Sequence, residues 1–172
     1  MVTLRSIAAR RKLLDSRGAV YVEFTIAFMP VFVMFLSLIQ LADLHQANII
    51  VRHAAFMGVR AAVVVLPDDG QFYDGEQVNT FDGKRKDAIN YAVMGPLLAS
   101  RSISEYKVTL PSSPGGDDSR SSVQPNDLVR LKVQAHFQCR VPMVSILVCG
   151  SSKERTLTGE AAMPNQGASY DY

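Results

Sequence analysis

GAVYVEFTIAFMPVFVMFLSLIQL, residues Gly18 to Leu41, decides how the rest of the chain is read. Between Ala19 and Ile39 the one charged side chain is Glu23. Roughly twenty residues at ~1.5 Å each cover about 30 Å, the thickness of a bilayer's hydrocarbon layer. The stretch predicts a membrane-spanning helix over 19–41. A secretory signal peptide fits less well, because the apolar run outlasts an ordinary h-region, no A-x-A-like site follows, and helical patterning continues beyond it.

Working outward, the residues up to Gly18 carry Arg5, Arg10, Arg11, Lys12 and Arg17 against Asp15. Excess Lys and Arg stays on the cytoplasmic side, so the amino terminus is expected in the cytoplasm and the remainder outside the bacterial inner membrane. The whole chain of 172 residues has a net charge of +2. Five bases and one acid before Ala19 therefore leave the remainder at −2, so the pI of 8.6 reflects a topology signal. Nucleic-acid binding needs basic side chains gathered on one folded face, and none is evident.

After the span, the pattern turns amphipathic. Leu44, Ala47, Val51, Ala54, Ala55, Gly58 and Ala62 recur at three and four, which predicts that the same helix runs on to about Val65. Its stripe of small side chains suits close backbone approach, either by the chain's own sheet, the preferred reading, or by another subunit. Arg52 and Arg60 share a face and read as solvated charges. His45 and His53 lack a third ligand, so no metal is expected. Asp68, Asp69, Asp74, Glu76 and Asp82 fill a loop without calcium-loop order and read as solvated. Lys84 to Ser100 predicts a second helix, bent or ended at Gly95 and Pro96, packing on the sheet.

Strands are expected at Tyr106–Leu110, Asp127–Gln138 and Arg155–Met163, where apolar and polar residues alternate, giving an antiparallel sheet of at least three strands. The intervening SSPGGDDSRSSVQPND is too polar and glycine-rich to bury. Cys139 and Cys149 flank RVPMVSILV, and their spacing in an oxidising compartment predicts a disulfide. The apolar residues Val141 to Val148 are expected in the core, with a partner or membrane-surface patch as the alternative.

The residues also carry a family resemblance. Gly18 followed by Ala19, Glu23 and Phe24 resembles the processing site of type IV prepilin-like proteins. RGAVYVEF, Pro30 within the span, and RHAAFMGVRAAVV over Arg52 to Val64 are similar to the TadE-like family, minor pseudopilins of tight-adherence (Flp, type IVc) pilus systems. Tyr21, Phe56 and Val59 depart from the family's usual motifs. The resemblance implies that a prepilin peptidase cuts after Gly18, making Ala19 the first residue and Glu23 the fifth. It also implies that Glu23 pairs with the α-amino group of a neighbouring subunit and so sets the register of assembly. A carboxylate in lipid costs about 2.5–3.5 kcal/mol near mid-membrane, which favours pairing, although near the cytoplasmic face Glu23 can also reach water.

The expected fold is α+β: a long amino-terminal helix packed on a small antiparallel sheet, pilin-like, with a second short helix. Its parts are a basic cytoplasmic leader (1–18), the transmembrane helix (19–41), its periplasmic continuation (42–66), a periplasmic α+β domain (67–163) and a flexible tail (164–172). No P-loop, dinucleotide turn, nucleophile–base motif or metal spacing occurs, so the chain reads as non-enzymatic, with no cofactor and no small-molecule substrate. The expected partners are the membrane, other pilin-like subunits, the pilus assembly platform and the prepilin peptidase. The competing reading is an unprocessed single-pass inner-membrane protein presenting a periplasmic binding or scaffold domain of a secretion apparatus.

Overall fold

A computed structural model of the chain describes residues 16–125 and 127–165. Of the expected leader (1–18), residues 1–15 lie outside the described residues, and of the expected flexible tail (164–172), residues 166–172 do; Pro164 instead ends the last strand and Asn165 is buried.

The first element, α1 (Ser16–Val65), is a 50-residue helix, about 75 Å long at the helical rise. Val, Ile and Phe outnumber Ala, Leu and Met along it, so apolar burial and surroundings, more than intrinsic propensity, account for the helix. Pro30 lies inside the run, where its missing N–H removes one rung without ending the helix. In its second half, Ala47, Val51, Ala54, Ala55, Val59 and Ala62 are buried, and Leu66 closes the stripe just past the last turn. The apolar stripe expected from the spacing therefore covers the chain's own core.

Strands β1 (Ile103–Thr109), β2 (Leu128–Gln138) and β3 (Glu154–Pro164) form one antiparallel sheet in the order β1-β2-β3. The fold is thus α+β. On the central strand, Val129, Leu131, Val133, Ala135 and Phe137 are all buried beneath the helices, each such side chain stabilising by about 1.5–3 kcal/mol when large. Val133 pairs with Val108 on one side and Gly159 on the other. Gly159 is where the sheet touches the helix backbone: a Cβ there would stand 2.6 Å from the Val51 carbonyl oxygen and 2.9 Å from Arg52 Cα. That spacing admits only hydrogen.

The second helix, α2 (Gly83–Leu97), turns Ile89, Val93 and Leu97 inward. Its main neighbour is α1, which corrects the expectation that it packs on the sheet. The reason is the small side chains of α1: Gly58 lies under both Val93 and Leu131, at 2.5 and 3.0 Å from its would-be Cβ, so helix meets helix directly.

The acidic loop before α2 is a set of caps, more specific than the solvated loop expected. Asp69 caps a 3-10 turn at Gly70–Tyr73. Asp82 caps α2 by accepting from Gly83 N at 2.9 Å, and Glu76 accepts from Lys84 N at 2.6 Å and Arg85 N at 3.3 Å. Anions at a helix N-terminus meet its unpaired N–H groups and positive dipole end. Arg85 itself is fully buried. Its guanidinium donates to the carbonyls of Val65, Leu66, Asp68 and Glu76 and lies 4.4 Å over the Tyr73 ring. A buried cation so placed satisfies the last carbonyls of α1 and meets the negative end of its dipole. Tyr73 donates to Asp68 at 3.2 Å, and its phenol is pushed above its ordinary value by burial first and then by the Asp68 charge.

The glycine-rich loop between β1 and β2, expected to be too polar to bury, is largely exposed. It lies across the outer face of the sheet. Lys132, on that face, is buried and donates to Gly116 O at 2.9 Å and Asp117 Oδ1 at 2.7 Å, while Gly115 N donates to Glu160 at 2.9 Å. Hydrogen bonding from Lys132, together with its charge, holds the Asp117 carboxyl below the usual carboxylate range. Asp118 is lowered by its hydrogen bonds with Ser112, and Asp127 by the Leu128 N–H and then Arg120.

Candidate functional site

The residues singled out by the sequence lie at the two ends of the apolar run. At the beginning, Gly18 has nothing within 4 Å of the place a Cβ would occupy, and the backbone of Ala19 continues in α1. Glu23 is exposed, and no hydrogen bond or ion pair reaches it from the described residues. Phe24 is also exposed and begins a ladder that the sequence reading missed. Phe24, Phe28 and Phe32, four residues apart, stack with centroids 5.5 and 5.7 Å apart. The i, i+4, i+8 spacing of phenylalanines was the available signal. The Thr25 and Ser37 hydroxyls are satisfied within the helix, Thr25 donating to Tyr21 O and Ser37 to Val33 O, both at 2.8 Å. These two aliphatic hydroxyls are therefore not left open to lipid.

Along Val20–Val65 the helix is long and apolar enough to cross a membrane, and none of its most apolar window is covered by the chain. Core helices of soluble proteins are covered, and this half is not. It also joins the buried half without a break.

At the other end, Gln40 is fully buried and its Oε1 accepts from Val141 N at 2.9 Å. This contact ties the span's last turn to the loop closed by the Cys139–Cys149 disulfide, whose Cα atoms are 6.4 Å apart. The loop contains a short helix, α3 (Ser145–Cys149). Val144 and Ser145 are buried, but Met143, Ile146 and Leu147 are exposed, which corrects the expectation that the apolar loop enters the core. With so few residues between two bridged cysteines, one face can turn inward and the other must turn out.

Arg52 and Arg60 both lie on the exposed side of α1, with Arg60 5.9 Å over the Phe56 ring. Of the motif departures, Phe56 is exposed and Val59 buried. His45 lines a shallow cleft between α1 and β3 with Arg155 and Thr158, and His53 is exposed. No group of three or more His, Cys, Asp or Glu side chains among the described residues could hold a metal ion.

The model of the TadE-like protein family matches residues 18–60, which takes in Gly18, Glu23, the aromatic ladder and most of the buried stripe. No curated protein and no solved structure matches the chain. The match and the uncovered apolar helix together fit a single-pass, membrane-anchored protein associated with a tight-adherence pilus system.

Proposed function

We propose that this chain is a minor pilin or pseudopilin-like subunit required to assemble a tight-adherence (Flp, type IVc) pilus. It is anchored in the bacterial inner membrane with its amino terminus cytoplasmic and its α+β head periplasmic. A prepilin peptidase removes the basic leader after Gly18, and the subunit acts without catalysis by helix packing against other pilin-like subunits and the assembly platform. The observation that carries the reading is an apolar rod left uncovered by its own chain, bearing near its cytoplasmic end Glu23, which has no partner among the described residues, and continuing unbroken into the folded head. An exposed carboxylate at that depth favours an incoming cation, and the amino terminus created at Ala19 supplies one of matching position.

Amino-terminal sequencing of the membrane-extracted protein is expected to begin at Ala19, with Glu23→Ala leaving insertion intact but reducing recovery with other pilin-like subunits at least tenfold, a loss of about 1.4 kcal/mol of association. A terminus upstream of Gly18 together with undiminished recovery of the variant would instead support an unprocessed anchor for a periplasmic scaffold.

A further inference from the structure

We infer that the disulfide-closed loop from Cys139 to Cys149 is a second, shallow membrane contact, a foot that rests in the outer interface of the bilayer crossed by α1. The inference rests on the reading that α1 spans a membrane, and goes beyond it by giving the head a lipid-binding surface of its own.

Depth is the first argument. Counting about 30 Å of hydrocarbon from the start of the apolar run brings the bilayer boundary to Ile39 and Gln40. Gln40 is also where the loop is fastened, through the 2.9 Å bond from Val141 N. Within the span, the partly covered residues Val33, Leu36 and Ser37 lie on the same helical face as buried Gln40, at spacings of three and four. The short helix α3 packs against α1. The loop is therefore held at headgroup depth by the rod itself.

Chemistry is the second. Met143, Ile146 and Leu147 are 57%, 58% and 71% exposed, three large apolar side chains within five residues. Beyond α1, the other exposed large apolar residues of the head, Phe72, Val78, Tyr91, Leu98 and Leu128, come no closer than six residues to one another in sequence. A concentrated apolar patch on a small head marks a contact surface. Exposed Arg140, Lys153 and Arg155 flank the loop, with Glu154 between the latter two and Asp43 one turn above Gln40 on α1. Cationic side chains bordering an apolar tip are the composition of interfacial segments, which bury their apolar face about 5–10 Å into the headgroup and acyl boundary. The disulfide fixes the loop's shape, so little ordering is needed on contact.

The chain contains no tryptophan, so one introduced indole reports on one place. Full-length Leu147→Trp, Phe32→Trp and Phe72→Trp proteins would be reconstituted separately in phosphatidylcholine and phosphatidylglycerol vesicles, with or without lipids brominated on the upper acyl chain. Phe32 lies in the span, and Phe72 sits beyond the far end of α1, about 40 Å from Gln40 along the helix. The expected result is that Leu147→Trp emits to the blue of Phe72→Trp and loses roughly half its emission to brominated lipid, the depth of an interfacial side chain. Phe32→Trp is quenched as well and Phe72→Trp is not. Quenched Phe32→Trp beside an unquenched Leu147→Trp overturns the foot and leaves the span standing. That holds whether the Leu147→Trp emission is water-like or is blue-shifted by a covering protein or second copy. Unquenched Phe32→Trp overturns the span and the foot with it. Ile146→Trp repeats the measurement if Leu147→Trp disturbs the disulfide, as checked by mass after alkylation.

Discussion

Below Gln40, α1 meets almost nothing of its own chain, whereas above it Ala47, Val51, Ala54, Ala55, Val59 and Ala62 are shut into a core. One continuous helix thus has two solvents. The lower half is apolar on every side and carries aromatic side chains such as Phe24, Phe28 and Phe32. The upper half narrows its apolar surface to a stripe of small residues so that β3 and α2 can reach its backbone. What differs is the surface each half presents, apolar and uncovered by its own chain in one case and fitted to its own sheet and second helix in the other.

That contrast can be broken most severely at Gly159. Replacing it with valine puts a side chain against the backbone of Val51 and Arg52, which has no flexible end to move. The expected loss is about 3 kcal/mol of head stability, read as a lowered urea midpoint, with membrane insertion unchanged. Undiminished stability would mean the helix is not seated on the sheet at this point.

Arg85→Met is expected to cost about 2 kcal/mol by the same measurement, because it leaves the end carbonyls of α1 without their donor. Hydrogen exchange should rise first around Val65 and Leu66, and the lower half of the helix should not respond. Exchange unchanged at those two residues would show that other groups cap the helix.

The smallest effect is expected from acid. Asp117, Asp118 and Asp127 have folded-state values depressed below the ordinary one. Their contribution is therefore complete above about pH 4 and lost as pH falls through the depressed values. Since Asp117 is an exposed partner of Lys132, its loss should free the glycine-rich loop while both halves of α1 persist. Limited proteolysis within the loop at low pH, with helix content by circular dichroism unchanged, is the expected result. A loop equally resistant at neutral and acid pH would place its hold elsewhere.

Much of this was legible in the sequence because it depends on periodicity. The span, its helical continuation to Val65 and the alternation of Val129 to Phe137 follow from spacing alone, and the Gly18 to Phe24 motif needed only local residues. What escaped the reading depends on where distant segments land. Arg85 sits in a run of charged residues that reads as a solvated helix start, and nothing local shows that the end of α1 arrives beside it. Lys132 belongs to the polar face of its strand and is buried only because a loop folds over it. Met143, Ile146 and Leu147 look like core residues until the bridge between Cys139 and Cys149 limits how many can turn inward.

Because α1 passes from rod to head without a joint, the two are geared together like a key and its bow. Shifting the rod's register against a neighbour by one residue would lift the head by about 1.5 Å and, if the same helical face is kept in contact, swing it by about 100°. Under the proposed assembly, a choice of register among helices inside the bilayer would therefore also select which side of the sheet looks outward, before any two heads have touched.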